Sequence, residues 1–129
     1  MANKGIKGFK IDGLKEVYKD LQLTEEEIIK AALKGQKTLA QNILGESQKL
    51  VPVDTGTLKR SGNIQTEDNI TTISYNTPYA LKQHEDATLN HPNGGEAKYL
   101  ERPFNEKAGE LESYIQTEVY KTLRRNYPS

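Results

Sequence analysis

Apolar residues recur along this chain with two periods, one helical and one extended. Between residues 24 and 51 they fall three and four positions apart, which places them on one face of an α-helix. Thr24, with Glu27 three residues later, has the form of a capping box and predicts where the helix begins. The Val51-Pro52 pair predicts its end, because proline disfavours the helical conformation in the preceding residue. The expected helix is about 25 residues and roughly 38 Å long.

Two glycines, Gly35 and Gly45, interrupt this predicted helix. Each costs about 1 kcal/mol relative to alanine in a helix interior. Close packing against another element is the favoured explanation for both, and a hinge is the alternative.

The segment before the long helix predicts two short elements. Phe9 and Ile11 alternate with polar neighbours, which indicates an edge strand over residues 8–14. Asp12 can then cap a short helix. Its apolar positions share one helical face and are Leu14, Val17, Tyr18 and Leu21.

β-branched residues dominate from residue 57 to residue 76 and predict a β-hairpin around Glu67-Asp68-Asn69. In its second strand, alternation places Thr71, Ile73 and Tyr75 on the face expected to meet the core.

A second helix is predicted to begin at Arg102-Pro103, because proline is tolerated in a first helical turn. It is expected to run to Arg124-Arg125, whose charges suit a helix C-terminus, with residues 126–129 as a frayed tail.

These elements predict a single α+β domain over residues 1–129. The long helix and the C-terminal helix pack on one face of a small, mostly antiparallel β-sheet, with a projecting hairpin and a long loop. Residues 77–97 form that loop and contain little apolar surface. Loops of this length in small domains are usually functional, so binding is expected there.

Composition narrows the classes of function. Hydrophobic residues make up 34% of the chain, with no Trp and two Phe, which predicts a thin core completed by neighbouring subunits. Eighteen basic residues balance eighteen acidic ones, so no overall field favours nucleic acid or a membrane. Cysteine is absent, which excludes disulfides and thiol chemistry. No apolar run approaches the roughly 20 residues of a membrane span, and the first residues lack the apolar core of a secretion signal, so synthesis in a cytoplasm is expected.

One group of residues has the composition of a metal site. His84 and Glu85 lie seven and six residues before His91, which allows the hypothesis of a metal-assisted hydrolase. The spacing is not that of helical zinc hydrolases, and no third ligand stands at a familiar interval. Hydrogen bonds that fix the base of the loop are the favoured interpretation, with neither a cofactor nor a metal expected.

A more specific pattern spans residues 50–62, L-V-P-V-D-T-G-T-L-K-R-S-G. It resembles the P-V-D-T-G-x-L-R-x-S signature of small neck and tail-completion proteins of long-tailed bacteriophages, often catalogued as minor capsid proteins. The family's further elements have counterparts at Y-N-T-P-Y-A (residues 75–80), His84-Glu85, Tyr99-Leu100 and Pro103-Phe104. The resemblance therefore covers nearly the whole chain.

A turn accounts physically for the signature. Pro52 ends the long helix, Asp54 can accept hydrogen bonds from the following backbone N–H groups, and Gly56 allows a positive φ. With Thr55 these residues form a predicted architectural turn that directs the chain from the helix into the hairpin.

The resemblance implies a structural virion protein and not an enzyme. It implies a homo-oligomeric ring of six copies between head-closure proteins and the tail terminator, with DNA passing through without sequence readout. Assembly would take place in the host bacterial cytoplasm, and no membrane contact is expected. The expected assembly contacts lie in or beside the long loop and are Tyr79, His84, Glu85, Asn93, Gly94 and Gly95. The hydrolase and a monomeric binding module are the alternatives.

Overall fold

Helices and a small sheet alternate along the chain. The computed structural model describes residues 3–6, 8–51, 62–75 and 99–128. Its elements are β1 (Asn3–Ile6), α1 (Ile11–Val17), α2 (Glu25–Leu50), β2 (Gly62–Glu67), β3 (Ile70–Tyr75), α3 (Glu101–Lys107) and α4 (Leu111–Asn126). Single turns of 3₁₀ helix, Lys19–Leu21 and Ala108–Glu110, follow α1 and precede α4. The predicted α+β class, with a long helix, a C-terminal helix and a small antiparallel sheet, is confirmed.

Helix α2 begins and ends where its sequence indicates. The Glu27 N–H donates to Thr24 Oγ1 at 3.0 Å, and the Thr24 N–H donates to Glu27 Oε1 at 2.9 Å, which completes the predicted capping box. The helix has 26 residues, and Val51 after it is extended. Both predicted boundaries are confirmed, whereas Pro52 itself lies outside the described residues.

The sheet is antiparallel, in the order β1-β3-β2. Asp68 and Asn69 connect β2 to β3, with φ angles of 51° and 65°. Two consecutive positive φ angles match the hairpin turns whose twist suits the flanking strands. The predicted core face is also confirmed, because Thr71, Ile73 and Tyr75 are fully buried.

The predicted edge strand over residues 8–14 is wrong in position. The N-terminal edge strand is β1 (Asn3–Ile6), and Ile11–Val17 is helical. Phe9 packs on a helical core, so its alternation with Ile11 does not reflect a strand. The predicted cap is also wrong, because Lys10 occupies the N-cap of α1 and makes no side-chain capping bond.

Two apolar clusters share helix α2. The sheet cluster joins α2 to the sheet and to Tyr99-Leu100, and its buried members are Ile6, Leu39, Ala40, Ile43, Val51, Ile73, Tyr75, Tyr99 and Leu100. The helix cluster joins α2 to α4 through Ala31, Ala32, Ile115 and Val119. Leu111 of α4 packs against both.

Helices α2 and α4 approach each other closely at Gly35. A β-carbon there would lie 2.8 Å from Ile115 Cα, so only glycine lets the two backbones meet at this distance. Close packing is thus confirmed for Gly35. The described part of the chain shows no such packing at Gly45, because none of its atoms lies within 4 Å of the position of a β-carbon there.

The predicted C-terminal helix is two helices. Pro103 lies in the first turn of α3, as expected, but the 3₁₀ turn at Ala108–Glu110 separates α3 from α4. The predicted frayed tail over residues 126–129 is wrong for Asn126. This residue ends α4, and its side-chain amide donates a hydrogen bond to Glu27 Oε2 at 2.7 Å. Within the described ranges, no helix combines the length and the apolarity that crossing a membrane requires.

Candidate interaction surface

A buried amide fixes the hairpin to the long helix. Gln36 of α2 is fully buried; its Nε2 donates to the Asn69 carbonyl oxygen at 2.8 Å, and its Oε1 accepts from Thr71 Oγ1 at 2.7 Å. Thr66 Oγ1 of β2 lies 2.8 Å from Thr71 Oγ1 and donates to it, since the Thr71 hydrogen goes to Gln36. One side chain therefore anchors the turn directly and links to both strands of the hairpin.

A second polar contact lies near the far end of β3. Ser47 Oγ and Tyr75 OH are 2.7 Å apart, and both side chains are buried. The Tyr75 and Tyr99 rings pack edge to face, with centroids 5.1 Å apart. Burial raises the pKa of Tyr75 to about 12, against the lowering effect of the Ser47 hydrogen bond, and burial also raises the pKa of Tyr99. Both phenols are therefore neutral at physiological pH.

Strand β2 leaves an open groove beside helix α2. Among the described strands β2 pairs only with β3, so its outer edge offers backbone groups to a partner. We define the α2–β2 groove by the residues that line it, which are Leu33, Lys34, Lys37, Thr38, Gln41, Ile64 and Thr66. Leu33 and Ile64 provide apolar surface, and the only charged residues in the lining are the two lysines. An edge strand beside an exposed helix suits the docking of another protein chain.

The lysines of the groove differ in their partners. Lys34 Nζ lies 3.7 Å from Glu118 Oε1, and the Glu118 side chain is only 8% exposed between α2 and α4. Lys121 Nζ is 3.2 Å from the other oxygen of that carboxylate. Lys37 has no carboxylate within 4 Å in the described part of the chain, so its charge is available to a partner.

Further polar contacts lie near the end of α4, beyond Glu118, and one of them reaches α2. Asn126 donates to Glu27 across α2 and α4, and this bond, with the Thr24 backbone N–H, lowers the pKa of the Glu27 carboxyl. Thr122 Oγ1 donates to the Glu118 carbonyl oxygen at 3.0 Å and accepts from Arg125 at 3.2 Å. The Asn126–Glu27 bond joins the end of α4 to the start of α2, whereas the two Thr122 bonds lie within α4 and satisfy polar groups of that helix.

The site residues predicted from the sequence lie outside the described residues. They are the turn residues Pro52, Asp54, Thr55 and Gly56, the contact residues Tyr79, His84, Glu85, Asn93, Gly94 and Gly95, and the hydrolase candidate His91. In the ranges that the structure does describe, no three His, Cys, Asp or Glu side chains come together to hold a metal. The groove was not predicted, because only tertiary packing brings Leu33 and Ile64 together.

Gln36→Leu is expected to lower the free energy of unfolding by about 1.5 kcal/mol, because it removes both Gln36 hydrogen bonds to the hairpin at nearly constant volume. Urea unfolding measures this change. Thr38→Val is the matched control on the same helix: its hydroxyl donates only to the helical Lys34 carbonyl oxygen, so stability should change little. Equal losses in both variants would contradict a special role for Gln36.

Comparisons with known proteins do not identify the family of this chain. Neither protein-family models, nor curated proteins, nor solved structures give a match to the chain. The function is therefore argued from the chain's own surfaces and sequence.

Proposed function

We propose that the chain is a structural subunit of a tailed-bacteriophage particle, acting at the head-to-tail connection and completed by contacts with other subunits. The observation that carries the proposal is the open α2–β2 groove beside a hairpin that Gln36 fixes to the longest helix. A rigid edge strand with an apolar and basic flank suits protein docking.

The order of elements supports a location in the phage neck. Helix α2 ends at Leu50 and strand β2 begins at Gly62, so the P-V-D-T-G signature occupies the connection between helix and hairpin. The neck family to which this signature is similar has the same order of helix, signature and hairpin. Tyr75, which opens the Y-N-T-P-Y-A element, is anchored in the core by Ser47 and Tyr99.

The proposed assembly is a ring of six copies between head-closure proteins and the tail terminator. The work of such a ring is mechanical: it joins two parts of the particle and leaves an axial passage for DNA. Equal numbers of basic and acidic residues, eighteen of each, support a passage that does not hold DNA tightly. Residues 77–97, which the sequence predicts to be a loop, are the proposed site of contact with the other neck proteins.

The test is made on particles from the phage or lysogen whose genome carries the gene. Mass spectrometry of purified particles should detect the chain. Deletion of the gene should leave filled heads and separate tails in electron micrographs, and expression of the gene from a plasmid should restore joined, infectious particles. Infectious particles that form normally without the chain would contradict the proposal.

Metal analysis of the purified protein tests the competing hydrolase. A structural subunit should contain no stoichiometric metal, either as wild type or as His84→Ala. Stoichiometric zinc that is lost in His84→Ala would favour catalysis by His84, Glu85 and His91 over the proposed structural role.

A further inference from the structure

A second exposed surface lies where α1 and the adjoining 3₁₀ turn meet α4. We define the α1–α4 patch by its lining residues, Val17, Tyr18, Asp20, Leu21, Glu112, Gln116 and Tyr120. Val17 is 71% exposed and Tyr120 47% exposed, and they are two of the four large hydrophobic residues exposed in the described part of the chain. These two side chains, with polar residues around them, offer apolar surface to a partner.

The charge of the patch is opposite to that of the groove. Asp20 and Glu112 are the charged residues of the patch lining, and no cation lies among them. The groove lining has Lys34 and Lys37 and no acidic residue. Each surface thus pairs apolar side chains with charges of one sign, and the two signs are complementary.

The two surfaces lie on different sides of the molecule. On α2, Lys37 lines the groove, whereas Ala32 packs in the helix cluster that Tyr18 and Leu21 join. Five positions correspond to about 140° around a helix, so the surfaces point well apart. A contact between groove and patch therefore leaves a free groove on one copy and a free patch on the other, and it can repeat in one direction.

Contacts between like surfaces are disfavoured by charge. A groove facing a groove would bring lysines together, and a patch facing a patch would bring Asp20 and Glu112 against their own copies. Exposed charge pairs contribute little affinity, but like charges in contact exclude the wrong orientation. Complementarity thus favours a second copy of this chain, in head-to-tail orientation, over a two-fold dimer.

We propose that the α2–β2 groove of one copy binds the α1–α4 patch of the next copy. Leu33 and Ile64 pack against Val17 and Tyr120, and Lys37 faces the acidic side chains of the patch. This contact rests on the assembly function proposed above and specifies the surfaces that join its subunits.

Charge-reversal variants of the purified protein test this contact. Wild-type protein should associate as its concentration rises toward millimolar in sedimentation velocity. Lys37→Glu alone and Glu112→Lys alone should each weaken association about tenfold or more, because each sets like charges against each other. The double variant in one chain, and a mixture of the two single variants, should both recover association, because each restores an opposite pair.

Several results would overturn the contact. They are a wild-type protein that stays monomeric up to millimolar concentration, a mixture that fails to associate, or a Glu112→Lys variant that associates like wild type. If Lys37→Glu instead weakens binding to duplex DNA and leaves association unchanged, the groove is a nucleic-acid surface and the proposal is wrong. Lys49→Glu is the matched control, because Lys49 lies on the same helix outside the groove and should not affect association.

The absence of cysteine allows a second, independent measurement. Gln41→Cys places the only thiol in the groove, and Gln116→Cys places it in the patch. A short bis-maleimide should link a mixture of the two variants into dimers far more than either variant alone. Linkage that is equally strong within one variant, or absent in the mixture, would contradict a head-to-tail contact.

These outcomes are separable from those of the particle test. If the chain is essential in particles but neither associates nor cross-links as described, the neck function stands and this contact is wrong. If the contact forms as described but the chain is absent from particles, the contact stands and the neck function is wrong.

Discussion

Gly35→Ala is expected to destabilise the protein by about 2 kcal/mol. The new methyl group would lie 2.8 Å from both Ile115 Cα and Ile115 N, and 2.9 Å from the carbonyl carbon of Tyr114. These are backbone atoms and cannot rotate away, so α2 and α4 must separate. Overpacking of this kind costs about 3 kcal/mol at the upper end of its usual range, and the better helix propensity of alanine returns about 1 kcal/mol.

Gly45→Ala is the matched control, because it makes the same substitution in the same helix. No atom of the described residues lies within 4 Å of its new methyl group. This variant should therefore gain about 0.5–1 kcal/mol from helix propensity alone. Urea unfolding of both variants measures the difference. Changes of the same sign would contradict the close contact of α2 with α4.

Raising the pH from about 10 to about 12 is expected to lower the free energy of unfolding by about 2 kcal/mol through Tyr75 alone. Its pKa rises from 10.0 in the unfolded chain to about 12 in the fold, because burial disfavours the phenolate. The folded state thus holds the proton more tightly. The resulting stability is fully present below pH 10 and is lost as the pH rises towards the folded pKa. Tyr99, whose pKa burial also raises, adds a loss in the same direction.

Tyr75→Phe separates this effect from other alkaline changes. Phenylalanine cannot ionise, so the variant should retain only the part of the alkaline loss that Tyr99 and other groups cause. It also loses the hydrogen bond with Ser47, which should cost about 1 kcal/mol at neutral pH. Urea unfolding at a series of pH values, with tyrosinate absorbance recorded alongside, measures both effects. An equal loss of stability in wild type and variant would show that Tyr75 does not cause it.

Local interactions explain which elements the sequence predicts well. The capping box of Thr24 and Glu27 and the end of α2 before Val51 depend on residues within a few positions of one another. The hairpin turn at Asp68-Asn69 is equally local, and strict alternation in β3 marks its buried face. These features could be predicted because neighbouring residues determine them.

Strand β1 depends on distant residues and could not be predicted. Its ladder joins backbone groups of Asn3–Ile6 to β3, and Ile6 is its only large apolar residue. The Phe9 and Ile11 alternation is too short to distinguish strand from helix: Phe9 lies in the segment that leads into α1, and Ile11 is the first residue of that helix. Val17 has the spacing of a core residue, yet α1 has no buried residue and leaves Val17 exposed.

Only part of the candidate interaction surface could be predicted from the sequence. Gln36 interrupts the apolar stripe of α2, and a polar residue at a core position is the signal that could have identified its bond to the hairpin. The groove has no such signal, because Leu33 looks like one more member of that stripe. Its meeting with Ile64, 31 positions later, depends on how the sheet packs on α2.

The order of strands in the sheet also sets an order for folding during synthesis. Ile6 pairs with Thr71, which leaves the ribosome 65 residues later, or about 3–13 s at ordinary elongation rates. Throughout that interval the nascent β1 lacks its strand partner, and once α2 has emerged, the side of α2 that packs on the sheet is uncovered as well. A chaperone that engages the nascent chain therefore has its greatest opportunity before β3 emerges, because the hairpin then pairs with β1 and covers the side of α2 that faces the sheet.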